Sequence, residues 1–193
     1  MGRKNFFIVG VLLFLFLLFS AGSEAGEGWF GPPRANPYQV KAAFIYNFLQ
    51  FIELPARPHQ GPNAPLNIAV LGEDPFDQAF EPFQGERVHG RPLKIQVVPS
   101  GQDCKEAHVL FLTASERFRL PQLVRQAQAL GQLTIGDTEG FAQQGVMINF
   151  YEEQRKIRFE INLEAAKAGR VVISSHLLKL ARIVKKNPFV LEK

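Results

Sequence analysis

Cysteine is almost missing from this chain: Cys104 is the only one in 193 residues, so no intramolecular disulfide can form and stability must come from packing. Either that thiol is buried and inert, as the core-like run Ala107–Leu112 after it suggests, or it is free to couple two chains in an oxidising compartment. Metal-ligand spacing is missing too. His59, His89, His108 and His176 form no H-x-x-x-H pair, and no cysteine pattern joins them, so no metal is expected. There is no G-x-S-x-G elbow, no G-x-G-x-x-G and no P-loop. No catalytic residue is therefore assigned, no cofactor is implied, and the expectation is a protein that is not an enzyme.

A full membrane span is also lacking. Phe6–Phe19 is an apolar run of fourteen residues, against the roughly 20 that a helix needs to cross a bilayer. Arg3 and Lys4 precede it, and Ala21-Gly-Ser23 or Ser23-Glu-Ala25 follows with small residues. This is the layout of a secretory signal over residues 1–23, cleaved near 23–25, with a retained anchor as the alternative. No cysteine flanks the cleavage region, which argues against a lipid anchor. The formal charge of +4 falls to +2 once Arg3 and Lys4 leave, with twenty basic residues against eighteen acidic. Nothing in that balance calls for nucleic acid as a partner.

What remains is a length suited to one domain. Residues 24–37 are rich in Gly and Pro, with Trp29 and Phe30 among them, and read as a flexible leader. Residues 38–190 read as a single domain. Its first element, Tyr38–Phe51, carries a helical stripe at Val40, Phe44, Ile45, Phe48 and Phe51, and Pro55 stops it. Apolar runs at Leu66–Leu71, Leu93–Val98, Val109–Leu112 and Leu133–Ile135 read as strands. Short helices over Phe76–Phe83 and Pro121–Leu130 lie between them. Alternation of this kind predicts an α/β fold: a mostly parallel sheet flanked by helices, with a C-terminal antiparallel hairpin and terminal helices.

The hairpin is the best-specified part. Val146–Tyr151 and Ile157–Asn162 alternate with the period of half-buried strands, and the polar Glu152–Arg155 joins them. A four-residue loop would set Asn149 opposite Arg158 and Met147 opposite Glu160 on the face away from the core. Asn162 would cap a helix over Leu163–Ala168, ended by Gly169. Ser174 would cap another, with Leu177, Leu180, Ala181 and Val184 in one stripe, Lys185 and Lys186 at its end and Pro188 closing it.

Three surfaces are candidates for function. On the outer hairpin face, Met147, Asn149, Tyr151, Arg158, Glu160 and Asn162 make a mixed polar and aromatic patch suited to a protein partner. The alternatives are an ordinary solvated face, or a face covered by the second helix. In the first helix, Tyr46 falls off the Phe44–Phe48–Phe51 line. Either further layers surround this helix, or Tyr46 meets another subunit or partner. Beyond the strand ends, Asp74, Ser115 and Asp137 could rim a pocket for a cationic or polyhydroxy ligand. The competing reading is local turn and cap chemistry.

The wording of the chain resembles a known family. The matching phrases are KAAFIYNF from Lys41, IAVLGEDPF from Ile68, GRPL from Gly90, HVLFL from His108, GFA from Gly140, IRFEINLEAA from Ile157, ISS from Ile173 and LLKLARIV from Leu177. In that order and spacing they resemble the periplasmic YfiR-like proteins over about residues 38–184. The resemblance implies a non-enzymatic periplasmic regulator. Such a protein binds and represses the periplasmic domain of an inner-membrane diguanylate cyclase or sensor kinase, and so affects cyclic-di-GMP signalling. It also implies a possible outer-membrane or peptidoglycan-associated antagonist, and a possible homodimer. A periplasmic small-molecule-binding module using the acidic loops is the other reading. The chain departs from the family in lacking its frequent disulfides, and Leu54-Pro55 stands where a Trp-Pro pair follows the first helix.

Overall fold

The computed structural model describes residues 36–57, 61 and 63–184. The expected signal, the expected leader up to Ala35 with Trp29, His59, Lys185, Lys186 and Pro188 lie outside the described residues, while Asn36 and Pro37 at the end of that leader begin the first helix. In chain order the elements are α1 (Pro37–Leu49), β1 (Ile52–Glu53), β2 (Leu66–Leu71), a 3-10 turn (Asp77–Phe83), β3 (Arg87–Val88) and β4 (Arg91–Val98). Next come β5 (Val109–Leu112), a second 3-10 turn (Ala114–Arg119), α2 (Leu120–Leu130), β6 (Leu133–Gly136), β7 (Ile148–Glu153) and β8 (Lys156–Asn162). The chain then forms α3 (Leu163–Ala168), β9 (Val172–Ile173), α4 (Ser175–Leu178) and β10 (Arg182–Val184).

Eight strands make one sheet in the order β10-β8-β7-β6-β5-β2-β4-β3. The neighbours β7, β6, β5, β2 and β4 run parallel, while β8 is antiparallel to β7 and β3 to β4. From β2 the chain steps out to β4 and then returns past it to β5, so the winding reverses between β2 and β5. Separately, β1 and β9 pair as a two-stranded ribbon.

Both faces of the parallel strands are covered, which is why those strands read as unbroken apolar runs. Ile68, Val70, Val109 and Phe111 point into the layer under α1, and Ala69, Leu71, Leu110 and Leu112 into the layer under α2. In the first layer Phe48 lies 5.7 Å from Phe150 and 4.6 Å from Phe159, joining α1 to the hairpin. Pro37 opens α1 and Asn36 caps it, its Oδ1 accepting from Tyr38 N–H at 2.9 Å.

The hairpin pairs with a shift of two residues from the sequence expectation. Tyr151 faces Arg158 and Asn149 faces Glu160. The loop is the two-residue turn Gln154-Arg155, both at positive φ (52° and 60°), as the tight turns that match strand twist require. A shift of two leaves the paired side chains Ile148–Tyr151 on their expected faces, because the strand period is two, whereas Val146 and Met147, ahead of the strand, exchange layers. The larger difference is at the C-terminal end. The stripe Leu177, Leu180, Ala181, Val184 is not one helix: α4 stops at Leu178, and Arg182–Val184 pairs parallel with β8, Ile183 beside Ile161. Open hydrogen-bonding groups along β8 offset the helical period there, and the β-branched Ile183-Val184 suits a strand. Cys104 is buried, at 8% exposure.

Candidate functional site: an acidic cleft beside the hairpin

The outer hairpin face is mostly covered, so the six residues expected there do not form one exposed patch for a partner. Met147, Asn149, Glu160 and Asn162 are buried, while Tyr151 and Arg158 are half-buried. The cover is neither solvent nor a helix but the loop between β6 and β7. Asn149 Nδ2 donates to Thr138 O at 3.0 Å, and Asn162 Nδ2 donates to Ala142 O at 2.8 Å. Asn162 also caps α3, accepting from Ala165 N–H at 2.9 Å. Met147 leaves the polar set altogether. It lies in the core under α1, and a Cβ on Gly169 would come 2.4 Å from its Cε.

Glu160 is held from both sides. Its Oε1 accepts from Asn149 Nδ2 at 3.3 Å, and its Oε2 accepts from Arg182 Nε at 3.1 Å and Nη2 at 2.5 Å. The Arg182 guanidinium also lies 4.0 Å from the Tyr151 ring centroid, a cation–π contact. Hydrogen bonding to Glu160 is the first of the causes that raise the Arg182 pKa. At the end of β6, Asp137 pairs with Lys41 of α1 at 2.6 Å, with both side chains nearly buried. Tyr38 stands beside them, its ring 4.1 Å from Lys41 Nζ. Burial first, and then the Asp137 carboxylate, push the Tyr38 phenol up to about 12.

These groups surround a cleft of about 550 Å³, lined by Asp137, Glu139, Gly140, Gln143, Asn149, Phe150, Tyr151, Glu152, Glu160 and Arg182. It brings Asp137 of the strand-end rim together with Asn149, Tyr151 and Glu160 of the hairpin. The other rim residues are elsewhere and serve local structure. Asp74 Oδ1 accepts from Phe76 N–H at 2.9 Å. Ser115 Oγ lies 2.8 Å from Thr113 Oγ1 and accepts from Glu73 N–H at 3.2 Å. Those hydroxyls fill the reversal point between β2 and β5. A Cβ on Gly72, whose φ is +99°, would sit 2.2 Å from Ser115 Oγ and 2.4 Å from Thr113 Oγ1. Glu116, fully buried nearby, pairs with Arg119 at 2.9 Å. Tyr46 stacks on Phe83, ring centroids 5.1 Å apart, so a further layer around α1 takes up its ring.

Arg182, Lys41 and Gln143 were not legible as site residues. Arg182 falls within the helix that the sequence predicts after Ser174; the signal for a strand is the Ile183-Val184 pair beside it. Lys41 had a weaker signal, a lone cation on the stripe side of an aromatic helix.

A crystal structure of a conserved domain protein from Vibrio cholerae O1 biovar El Tor is similar, with TM-score 0.53 and 11% identity, over 78% of this chain and 60% of that one. The ABC domain in complex with L-Trp from Streptococcus pneumoniae gives TM-score 0.50 and 13% identity, over 77% of this chain and 61% of that one. This chain thus spans about three fifths of the length of either, and the likeness is one of fold. No curated protein matches. The YfiR/HmsC-like family model matches residues 38–182, three quarters of the sequence and nearly every described element, and this chain therefore belongs to the YfiR/HmsC-like family.

Proposed function

We propose that this protein is a non-enzymatic periplasmic regulator that binds the periplasmic domain of an inner-membrane diguanylate cyclase or sensor kinase and holds it silent. Membership in the YfiR/HmsC-like family points to a periplasmic regulator and carries the reading. Among the described residues no helix is long and apolar enough to cross a membrane. A cleaved signal over residues 1–23 would export the chain, leaving the leader 24–37 and residues 38–190 as its one working domain. The contact surface is the mouth of the hairpin, where Tyr151, Arg158 and Arg182 stay accessible on one face of the sheet. Aromatic and Arg side chains of this kind are favoured anchors. Asn149, Glu160, Asn162 and Met147 support that surface from below rather than form it.

Repression needs differential affinity: the regulator must prefer the silent state of its target by several kcal/mol to move the population decisively. An outer-membrane or peptidoglycan-associated partner would relieve it by competing for the same surface. The test is a pull-down from gently solubilised membranes of the native host, with the chain tagged at its C-terminus. Recovery of an inner-membrane protein with a cytoplasmic cyclase or kinase domain, reduced in an R158E/Y151A variant, is the expected result. Recovery of the tagged chain alone, with membrane proteins detectable in a control, would overturn the reading.

A further inference from the structure

Burial of Leu120, Leu123, Val124 and Ala127 fixes how α2 and the 3-10 turn before it are rotated on the sheet. That rotation turns Phe118, Gln122 and Arg125 outward together, all exposed, with Arg117 and Pro121 beside them. Phe118 is 96% exposed, more than any other large apolar side chain among the described residues. The exposed charge on this face is of one sign. Over residues 114–130 the one carboxylate is Glu116, which is fully buried and paired with Arg119 at 2.9 Å. Arg119 also donates to Ser100 Oγ at 3.0 Å, so its guanidinium is occupied. Arg117 and Arg125 are exposed, and neither forms a salt bridge among the described residues. Exposed acid adjoins the first turn, where Glu73 N–H donates to Ser115 Oγ at 3.2 Å, and the segment is basic from Arg117 onward.

A single ring among two guanidiniums and a carboxamide lacks the contiguous, charge-poor apolar centre of a protein interface. It has instead the two parts that a bilayer surface takes up. An aromatic side chain rests at headgroup level, and cations are drawn to an anionic leaflet. We propose that the outer face of the 3-10 turn and α2 docks on an anionic phospholipid surface. Phe118 enters the headgroup layer, while Arg117 and Arg125 donate to lipid phosphates. The contact is shallow and reversible, since one ring and two cations fall far short of a membrane anchor. The hairpin mouth is carried by β7, β8 and β10, none of which contributes to this face, so both surfaces can be occupied together.

The inference does not rest on the regulator reading, and its test needs only purified protein and lipid, so either can fail without the other. Residues 24–193 are used, because they hold every described element and leave out Phe6–Phe19, which would enter lipid by itself. Co-sedimentation is measured with vesicles of equal parts phosphatidylglycerol and phosphatidylcholine, and with vesicles of phosphatidylcholine alone. Binding to the anionic vesicles at low ionic strength is expected, with loss at high salt and little binding to phosphatidylcholine. F118S changes an exposed side chain, so it should keep the melting temperature and weaken binding about tenfold, equivalent to ~1.4 kcal/mol. R117Q/R125Q should weaken it by about tenfold as well. R155Q/K179Q removes the same charge from exposed positions outside this face, and should change binding by less than about twofold, because salt screens charges not held against the surface. No binding to the anionic vesicles, unchanged binding in F118S, or equal losses in R117Q/R125Q and R155Q/K179Q would each overturn the assignment. The first would leave the face to an acidic protein partner, and the last would reduce the attraction to net charge.

Discussion

Arg182 reaches from the edge strand to Glu160, its Nη2 2.5 Å from Oε2, although one side chain is 52% exposed and the other 3%. The asymmetry predicts unequal costs. Removing Arg182 strands a carboxylate that cannot return to water, whereas neutralising Glu160 frees an Arg that can. R182A is expected to cost about 2 kcal/mol and E160Q about 1 kcal/mol, both read by urea denaturation. The opposite order would mean that water reaches Glu160.

Acid should weaken the fold through His108. Its ring is 2% exposed, with Nδ1 accepting from Asn67 N–H at 3.1 Å and Arg91 Nη2 lying 2.8 Å from Nε2. Burial first, then Arg57 and Arg91, hold its pKa down to about 3, against 6.5 in the unfolded chain. Between those values the unfolded chain carries the extra proton, so stability falls as pH falls from about 6.5 towards 3. From this group alone the slope approaches ~1.4 kcal/mol per pH unit. H108N keeps an acceptor near Asn67 N–H but does not titrate, so its stability should vary less steeply over that window. Equal slopes for the two proteins would rule out His108 as the acid sensor.

What sequence could and could not reveal follows from range. Leu66–Leu71, Val109–Leu112 and Leu163–Ala168 end where the apolar pattern and the caps end them, because burial and capping act within a few residues. The two-residue turn at Gln154-Arg155 was hidden because neither residue is the Gly or Asn that usually marks positive φ. The burial of Asn149 and Asn162 depends on carbonyls of Thr138 and Ala142, supplied by a loop whose path no periodicity encodes. The same long range explains the site. Lys41 and Asp137 are 96 positions apart, and only the packing of α1 over the sheet brings them together.

Two glycines should respond differently to alanine. At Gly169 a Cβ would meet the flexible Met147 Cε at 2.4 Å, and the backbone there is not left-handed. G169A should therefore cost about 1–2 kcal/mol, and G169A/M147V should recover part of it by opening room. At Gly72 the backbone is left-handed (φ +99°) and the added atom would press on two hydroxyls that hold the strand ends. G72A should cost more than G169A, with little recovery in G72A/S115A, since the strain remains. Thermal melts of the four variants check the order, and full recovery in G72A/S115A would show that crowding alone fixes Gly72.

Tyr38 reports the charge at the end of β6. Burial is the first cause that carries its phenol up to about 12, and Asp137 adds to it through charge and a hydrogen bond. In D137N both added contributions go while burial stays, so the Tyr38 pKa should fall yet remain above 10. The same change leaves Lys41, itself only 9% exposed, without its carboxylate, so a stability loss of about 2–3 kcal/mol should accompany it. K41M separates the two effects, because it keeps Asp137 beside the phenol while removing the cation that offsets it. Absorbance titration of the tyrosines should therefore place Tyr38 lowest in D137N and no lower than the parent in K41M. If D137N leaves the Tyr38 pKa where it was, the carboxylate is not the neighbour that holds the proton on, and burial alone accounts for the shift.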